Sequence, residues 1–208
     1  ALADVQTALE ARGVAWTLFD GISANPDADQ VYAGVARAKE EGCDFVVGIG
    51  GGSPLDAAKA IAWAVAMDVP QERFFRMRPE PEDKALPIVA IPTTCGTGSE
   101  VTPYSIITDH HAKTKKNVSG PSLFPRTALL DARYLSSLPP AVLCDTALDA
   151  LSHAIEGAYS PRCSRFTEMM ALEAVRTIVP ELVRMAHGAF VNLAQLQYAA
   201  TVAGVVIA

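Results

Sequence analysis

The chain has 208 residues, half of them hydrophobic and 19 % charged, enough to bury roughly 70 % of its unfolded surface without disulfide or metal staples. That balance excludes a disordered or solvating acidic tail, and 14 glycines with 14 prolines exclude collagen-like and low-complexity chains. A net charge of −6 with no block of Lys or Arg excludes a phosphate-tracking nucleic-acid binder.

Leu2, Val5 and Leu9 recur at near-helical spacing and predict a helix that Gly13 ends. Val14 to Phe19 alternates apolar and polar side chains and predicts a strand, with Trp16 in the core. Asn25 and Pro26 predict the next helix start, as N-cap and first helical residue; Val31, Val35 and Ala38 line that helix up to Gly42. The run 45–49 (Phe-Val-Val-Gly-Ile) predicts a strand buried on both faces. Glycines follow, then an Ala-rich helix over 55–67, a polar loop over 70–84 and a second buried strand over 88–91. Ile106-Ile107 and Leu129-Leu130 are weaker strand signals. Strand–helix alternation of this kind predicts parallel βαβ units.

Beyond Pro139-Pro140 no β pattern remains. The segments 141–159, 164–186 and 189–208 read as helices, with Pro180 expected to kink or break the second. On this reading the chain divides into an α/β unit over 1–139 and a helical unit over 140–208. No run of roughly 18 apolar residues marks a membrane span, and no signal-peptide pattern opens the chain. Cys43, Cys95, Cys144 and Cys163 form no CxxC pair, which points to reduced cysteines and a cytoplasmic protein.

Three stretches have the composition of a site. Gly50-Gly51-Gly52-Ser53-Pro54 joins a buried strand to a helix start, where free N–H groups and the positive dipole end suit a pyrophosphate. It is neither GxGxxG nor a Walker loop, and a tight turn capped by Ser53 is the structural alternative. Residues 91–100 (Ile-Pro-Thr-Thr-Cys-Gly-Thr-Gly-Ser-Glu) again follow a buried strand, where ligands bind in open α/β sheets. An ordinary loop with Thr97 or Ser99 as helix cap explains them equally well. Asp149 and His153 stand one helical turn apart with Glu156 three residues on. Such a pair can hold one divalent ion through O and N, although an isolated pair of this spacing is more often a surface contact, and two ligands are fewer than the usual three or four. His110 and His111 read as solvated, His187 as a cation suited to a helix end, and Trp63 as core.

Taken together, GGGSPLDAAKAIA at 50–62, IPTTCGTGSEVTPYSIITD at 91–109 and ALDALSHAIEGAYS at 147–160 resemble the iron-containing, metal-dependent (group III) alcohol dehydrogenase family. LFPRTALLDARYLSSLPP at 123–140 is similar to that family's connector between two domains. The resemblance implies a nucleotide-binding α/β domain, a helical domain and an active site in the cleft between them. It implies NAD or NADP and a divalent metal, Fe²⁺ first and Zn²⁺ as the alternative. Carried over by motif, Gly51, Gly52 and Ser53 would hold the pyrophosphate, Asp56 would lie beside the nicotinamide half, and Thr93, Thr94 and Thr97 would line the cofactor. Lys115, six residues after Asp109, matches the family's cofactor-contacting lysine, and Asp149 with His153 matches two of four metal ligands. The implied reaction moves a hydride between NAD(P) and a small alcohol, aldehyde or ketone, with the metal as Lewis acid and no further catalytic side chain. The partners implied are that small substrate, no nucleic acid and no membrane; homodimer formation stays open.

The chain departs from the family pattern where two further histidine ligands and an upstream strand–helix–strand segment are expected. Residues 1–208 alone are therefore expected to lack turnover, and both ends are expected to be cut within longer elements. The alternatives are a non-catalytic nucleotide-binding fragment with half a metal site, or a relative of the glycerol dehydrogenase type.

Overall fold

The computed structural model describes all residues from 1 to 208. Helix α1 spans Leu2–Glu10 and turns through Gly13 at φ +65°. The strand expected over 14–19 does not form: the segment belongs to neither sheet and carries no regular structure. Its alternation does set Val14, Trp16 and Leu18 on one face, but that face is unpaired, and Trp16 is 41 % exposed rather than part of the core.

Helix α2 spans Ala28–Glu40 and starts two residues later than expected. Asp27 is its N-cap. The Asp27 carboxylate accepts from the Gln30 N–H while the Gln30 side chain accepts from the Asp27 N–H, so two otherwise unpaired donors are satisfied. Asn25, expected as the cap, instead sits at φ +57°. The Asp-x-x-Gln pattern was the better signal than the Asn-Pro pair.

Strands β1 (Val46–Gly50), β2 (Ile88–Pro92) and β5 (Thr127–Ala128) form a parallel sheet in the order β1-β2-β5. Central β2 buries Ile88, Ala90 and Ile91. Strand β1 lies at the sheet edge, and only its Gly48 is fully buried, which corrects the expectation of burial on both faces. Strand β5 falls two residues before the expected Leu129-Leu130, which are half exposed. β3 (Tyr104–Asp109) pairs antiparallel with β4 (Thr114–Ser119) in a separate hairpin. Strand β4 went unpredicted because Thr-Lys-Lys-Asn-Val-Ser carries one apolar residue; its register with β3 places it, not its composition.

Helix α3 spans Gly52–Ala66 and begins with the glycine turn itself, three residues before the expected start. It packs on the sheet, on α2 and on β3, burying Leu55 and Trp63; each such side chain contributes roughly 1.5–3 kcal/mol. The Trp63 indole N–H donates to Asp83 at 3.1 Å, so its polar atom is satisfied.

Helices α4 (Pro140–Tyr159), α5 (Arg165–Ala186) and α6 (Leu193–Ile207) pack mutually. Their shared core is small-residue-rich, with Ala147, Ala150, Ala154, Ala174, Ala199 and Ala203 around Ile178 and Leu196. Small side chains let the helices approach closely. Helix α5 runs unbroken through Pro180, against the expected interruption. Buried Glu181 one residue on binds the Arg184 guanidinium and the Asn192 N–H, tying the end of α5 to the start of α6. No helix is long and apolar enough to cross a membrane.

Candidate functional site

The first two motifs meet at the C-terminal ends of β1 and β2. Parallel pairing sets Gly50 beside Pro92, and the Thr93 N–H donates to the Gly50 carbonyl at 2.9 Å. Gly50 has φ +142°, a conformation open essentially to glycine, which turns the chain from β1 directly into α3. Gly51 is the N-cap and no side chain caps the helix. The N–H groups of Gly52 and Ser53 have no backbone partner, and Pro54 has no N–H to satisfy. The cap read as an alternative for Ser53 is thus absent; its hydroxyl accepts from the Asn25 N–H at 3.1 Å.

Thr94 and Thr97 lie against this turn. A methyl placed on Gly51 would fall 3.2 Å from Thr94 Cγ2, and one on Gly52 would fall 2.7 Å from Thr97 Cγ2. The two glycines therefore let the loop close directly on the helix start, where there is no room for a Cβ. Free helix N–H groups, nearby threonine hydroxyls and the absence of an acidic cap give this helix start the chemistry to receive a pyrophosphate.

The same loop reaches the third motif. A methyl placed on Gly96 would lie 2.9 Å from the Thr146 carbonyl and 3.2 Å from Asp149 Oδ2. Cys95 beside it is buried, its Sγ 3.5 Å from Thr146 Oγ1, and burial pushes its thiol pKa up, so it is an inert packing group and not a nucleophile. Residues 94–97 thus touch the glycine turn on one side and the metal-type helix on the other.

On α4, Asp149 Oδ1 and His153 Nε2 stand 3.7 Å apart, with Asp149 the more exposed of the two. One ion between them would have one oxygen and one nitrogen donor, the kind of set iron or zinc takes. His153 Nδ1 is buried without a hydrogen-bond partner, so nothing yet fixes the ring through its other nitrogen. Glu156 points outward, His187 is exposed at the end of α5, and no group of three or more His, Cys, Asp or Glu converges anywhere in the chain. These residues fit two ligand positions and do not complete a site.

Asp56 does not face open solvent. Its Oδ1 accepts from Ser99 Oγ at 2.6 Å and its Oδ2 from the Ile106 N–H at 2.9 Å. Burial pushes its carboxyl pKa up, against the opposing pull of Lys59, Ser99 and Ile106. Thr93 lines a different cleft of about 260 Å³, beside Arg133, Tyr134 and Ser137. Lys115 is exposed on β4 opposite Thr108 and makes no ion pair, whereas neighbouring Lys116 pairs with Asp109 at 2.7 Å and holds that carboxyl below its usual range. A second cleft, about 330 Å³ between α5 and α6, contains none of the expected residues. Lys59, Ser99 and Thr146 support the site and were not singled out for it. A lysine in the run Ala-Ala-Lys-Ala-Ile-Ala-Trp was the one legible signal among them, a charge where every neighbour is apolar.

Residues 1–132 match the family model for iron-containing alcohol dehydrogenase, and residues 143–208 match that for the C-terminal part of the Fe-containing alcohol dehydrogenase family. The chain is 35 % identical over 184 residues to lactaldehyde reductase from Escherichia coli K12, covering 87 % of this chain and 48 % of that protein. It is 32 % identical over 201 residues to an NADPH-dependent butanol dehydrogenase from Clostridium saccharobutylicum, covering 94 % of this chain and 51 % of the other. Among solved structures, sulfoacetaldehyde reductase from Bifidobacterium kashiwanohense in complex with NAD⁺ superposes with a TM-score of 0.88 at 32 % identity, covering 98 % of this chain and 54 % of that one. The chain spans about half the length of these relatives. The α/β layer followed by helices is the fold the sequence led us to expect.

Proposed function

Because the chain belongs to the iron-containing alcohol dehydrogenase family, we propose that it supplies the dinucleotide cradle and two metal ligands of an oxidoreductase that moves a hydride between NAD(P) and a small alcohol, aldehyde or ketone. The observation that supports this most is the position of the 94–97 loop, with Thr94 and Thr97 on the glycine turn and Gly96 against Asp149. Cofactor and metal would then meet across one short loop.

In this reading the N–H groups of Gly52 and Ser53 bind the pyrophosphate, and Thr94 and Thr97 bound it from the loop side. Thr93 and Lys115 contact more distant parts of the cofactor, and Asp56 fixes the hairpin beside the nicotinamide half. Asp149 and His153 would hold the metal, Fe²⁺ first and Zn²⁺ as the alternative. A divalent ion there would polarise the substrate oxygen, and the nicotinamide would exchange the hydride. We take residues 1–139 as the cofactor-binding unit and 140–208 as the metal-binding unit, in a cytoplasmic enzyme that acts on a small molecule.

The lack of any three-residue ligand cluster favours a second reading, in which residues 1–208 bind the nucleotide and do not turn over. One assay separates the two. The protein is supplied with NAD⁺ or NADP⁺, Fe²⁺ or Zn²⁺ and a panel of short alcohols, and reduced cofactor is followed by absorbance. Metal-dependent turnover that a chelator abolishes supports the dehydrogenase; cofactor binding without turnover supports the second reading; neither binding nor turnover refutes both.

A further inference from the structure

Lys59 is completely buried on α3, where lysine is rare unless it is paired. Its Nζ donates to Ser99 Oγ at 2.7 Å and to the Tyr104 carbonyl at 2.8 Å, with Thr102 Oγ1 at 3.4 Å. All three acceptors lie between residues 99 and 104. Asp56, one turn earlier on the same helix face, grips the same segment: its side chain accepts from Ser99 Oγ and the Ile106 N–H, and its carbonyl accepts from Ser105 Oγ at 2.7 Å. Nζ stands 3.8 Å from Asp56 Oδ1. Helix α3 thus holds residues 99–106 by six polar contacts, five through two charged side chains and one through the Asp56 carbonyl.

Packing alone does not call for this arrangement. A well-packed apolar side chain at position 59 would avoid the cost of burying an ammonium. What the ammonium adds is a fixed register for the segment between two candidate cofactor groups. Thr97 lies two residues before Ser99, and β3 leads on to Thr108, whose partner across the hairpin is Lys115.

We propose that Lys59 is a positioning residue for the dinucleotide: together with Asp56 it locks residues 99–106 so that Thr97 stays closed over Gly52 and the hairpin bearing Lys115 keeps its place. This rests on the glycine turn and the 94–97 loop being the dinucleotide site. The acidic groups facing Lys59 are Asp56 on its own helix and Glu100 on the turn after the loop; β3 offers it only the Tyr104 carbonyl. Burial lowers its pKa to about 8, against the pull of those two carboxylates. Above that pH the amine loses a proton and its charge, so the grip on Ser99 and Asp56 weakens and cofactor affinity falls. Folding stability moves the other way. A lysine whose pKa is depressed by folding costs most stability when protonated, and that cost is relieved as pH rises from about 8 toward its ordinary value.

The test is fluorescence titration of NADH against the full chain at pH 7 and pH 9.5, in wild type and Lys59→Met. Wild type is expected to bind about tenfold more weakly at the higher pH, the order of one charge-assisted hydrogen bond. Lys59→Met is expected to bind about tenfold more weakly already at pH 7 and to change little thereafter. Equal affinity of the two proteins at pH 7, a pH step of the same size in both, or no step in wild type would each overturn the proposal. If circular dichroism shows that Lys59→Met does not fold, Ser99→Ala carries the test, since it leaves Lys59 its other acceptors; weakened NADH binding at pH 7 is expected, and unchanged binding overturns the proposal. Failure of wild type to bind NADH at either pH would overturn the dinucleotide site itself, an outcome distinct from tight, pH-independent binding.

Discussion

Gly98, in the turn after β2, and Gly204, on α6, meet backbone to backbone: a Cβ on Gly98 would fall 2.4 Å from the Gly204 Cα, and one on Gly204 would fall 2.7 Å from the Gly98 Cα. Gly98 also has φ +62°, so two independent constraints require glycine there. This contact, with the Thr201 hydroxyl donating to buried Glu100 at 2.7 Å, fixes the loop of the α/β part to the last helix.

Gly204→Ala is expected to force this seam apart and destabilise the fold by about 1–3 kcal/mol, as overpacking against immobile backbone does. Denaturant unfolding measures it. A change below about 0.5 kcal/mol, the range of a neutral surface substitution, would show that the seam yields freely.

Asp27→Ala removes the carboxylate half of the capping box at α2, leaving the residue-27 N–H on the Gln30 side chain, and is expected to cost about 1 kcal/mol at neutral pH. The Gln30 N–H, with His110 adding to it, holds the Asp27 carboxyl below its usual range. Its stabilisation is therefore present above that range and is lost as pH falls through the lowered value. Unfolding curves of wild type and variant should converge in acid; a gap that persists there would assign the effect to something other than the carboxylate.

Much of this was legible because the βαβ rhythm and the glycine and threonine loops are local signals. Phe45 to Ile49 and Ile88 to Ile91 announce strands, although only the second is largely buried, and the strand–turn–helix order then sets Gly51 and Thr94 at the same C-terminal end of the sheet. The hairpin was not legible. Strand β4 is polar, and only pairing with β3 makes it a strand, a relation of sequence-distant groups that no window of residues displays. Trp16 misled for the opposite reason: its alternation is real, but no strand pairs with its segment and it stays 41 % exposed. Asp149 and His153 were legible as a pair, yet their approach to Gly96 follows from how α4 and α6 dock, which composition does not encode.

Asp149→Ala and His153→Ala are each expected to weaken Zn²⁺ binding to the chain at least about tenfold, the loss that even an outer-shell partner can cause. NADH affinity should change less than twofold in both, because neither side chain lies on the glycine turn. Calorimetric titration of Zn²⁺ checks the first statement and NADH fluorescence the second. Zn²⁺ binding that survives both substitutions would place the ion elsewhere.

We propose that the glycine turn opening α3, flanked by Thr94 and Thr97, receives the dinucleotide. NADH fluorescence titration of wild type beside Gly51→Val tests this, because the branched side chain would crowd the turn where a single methyl already stands 3.2 Å from Thr94 Cγ2. Wild type is expected to bind saturably, and Gly51→Val to lose at least about tenfold in affinity, 1.4 kcal/mol, with its circular dichroism unchanged. Equal NADH affinity in the two proteins would contradict it.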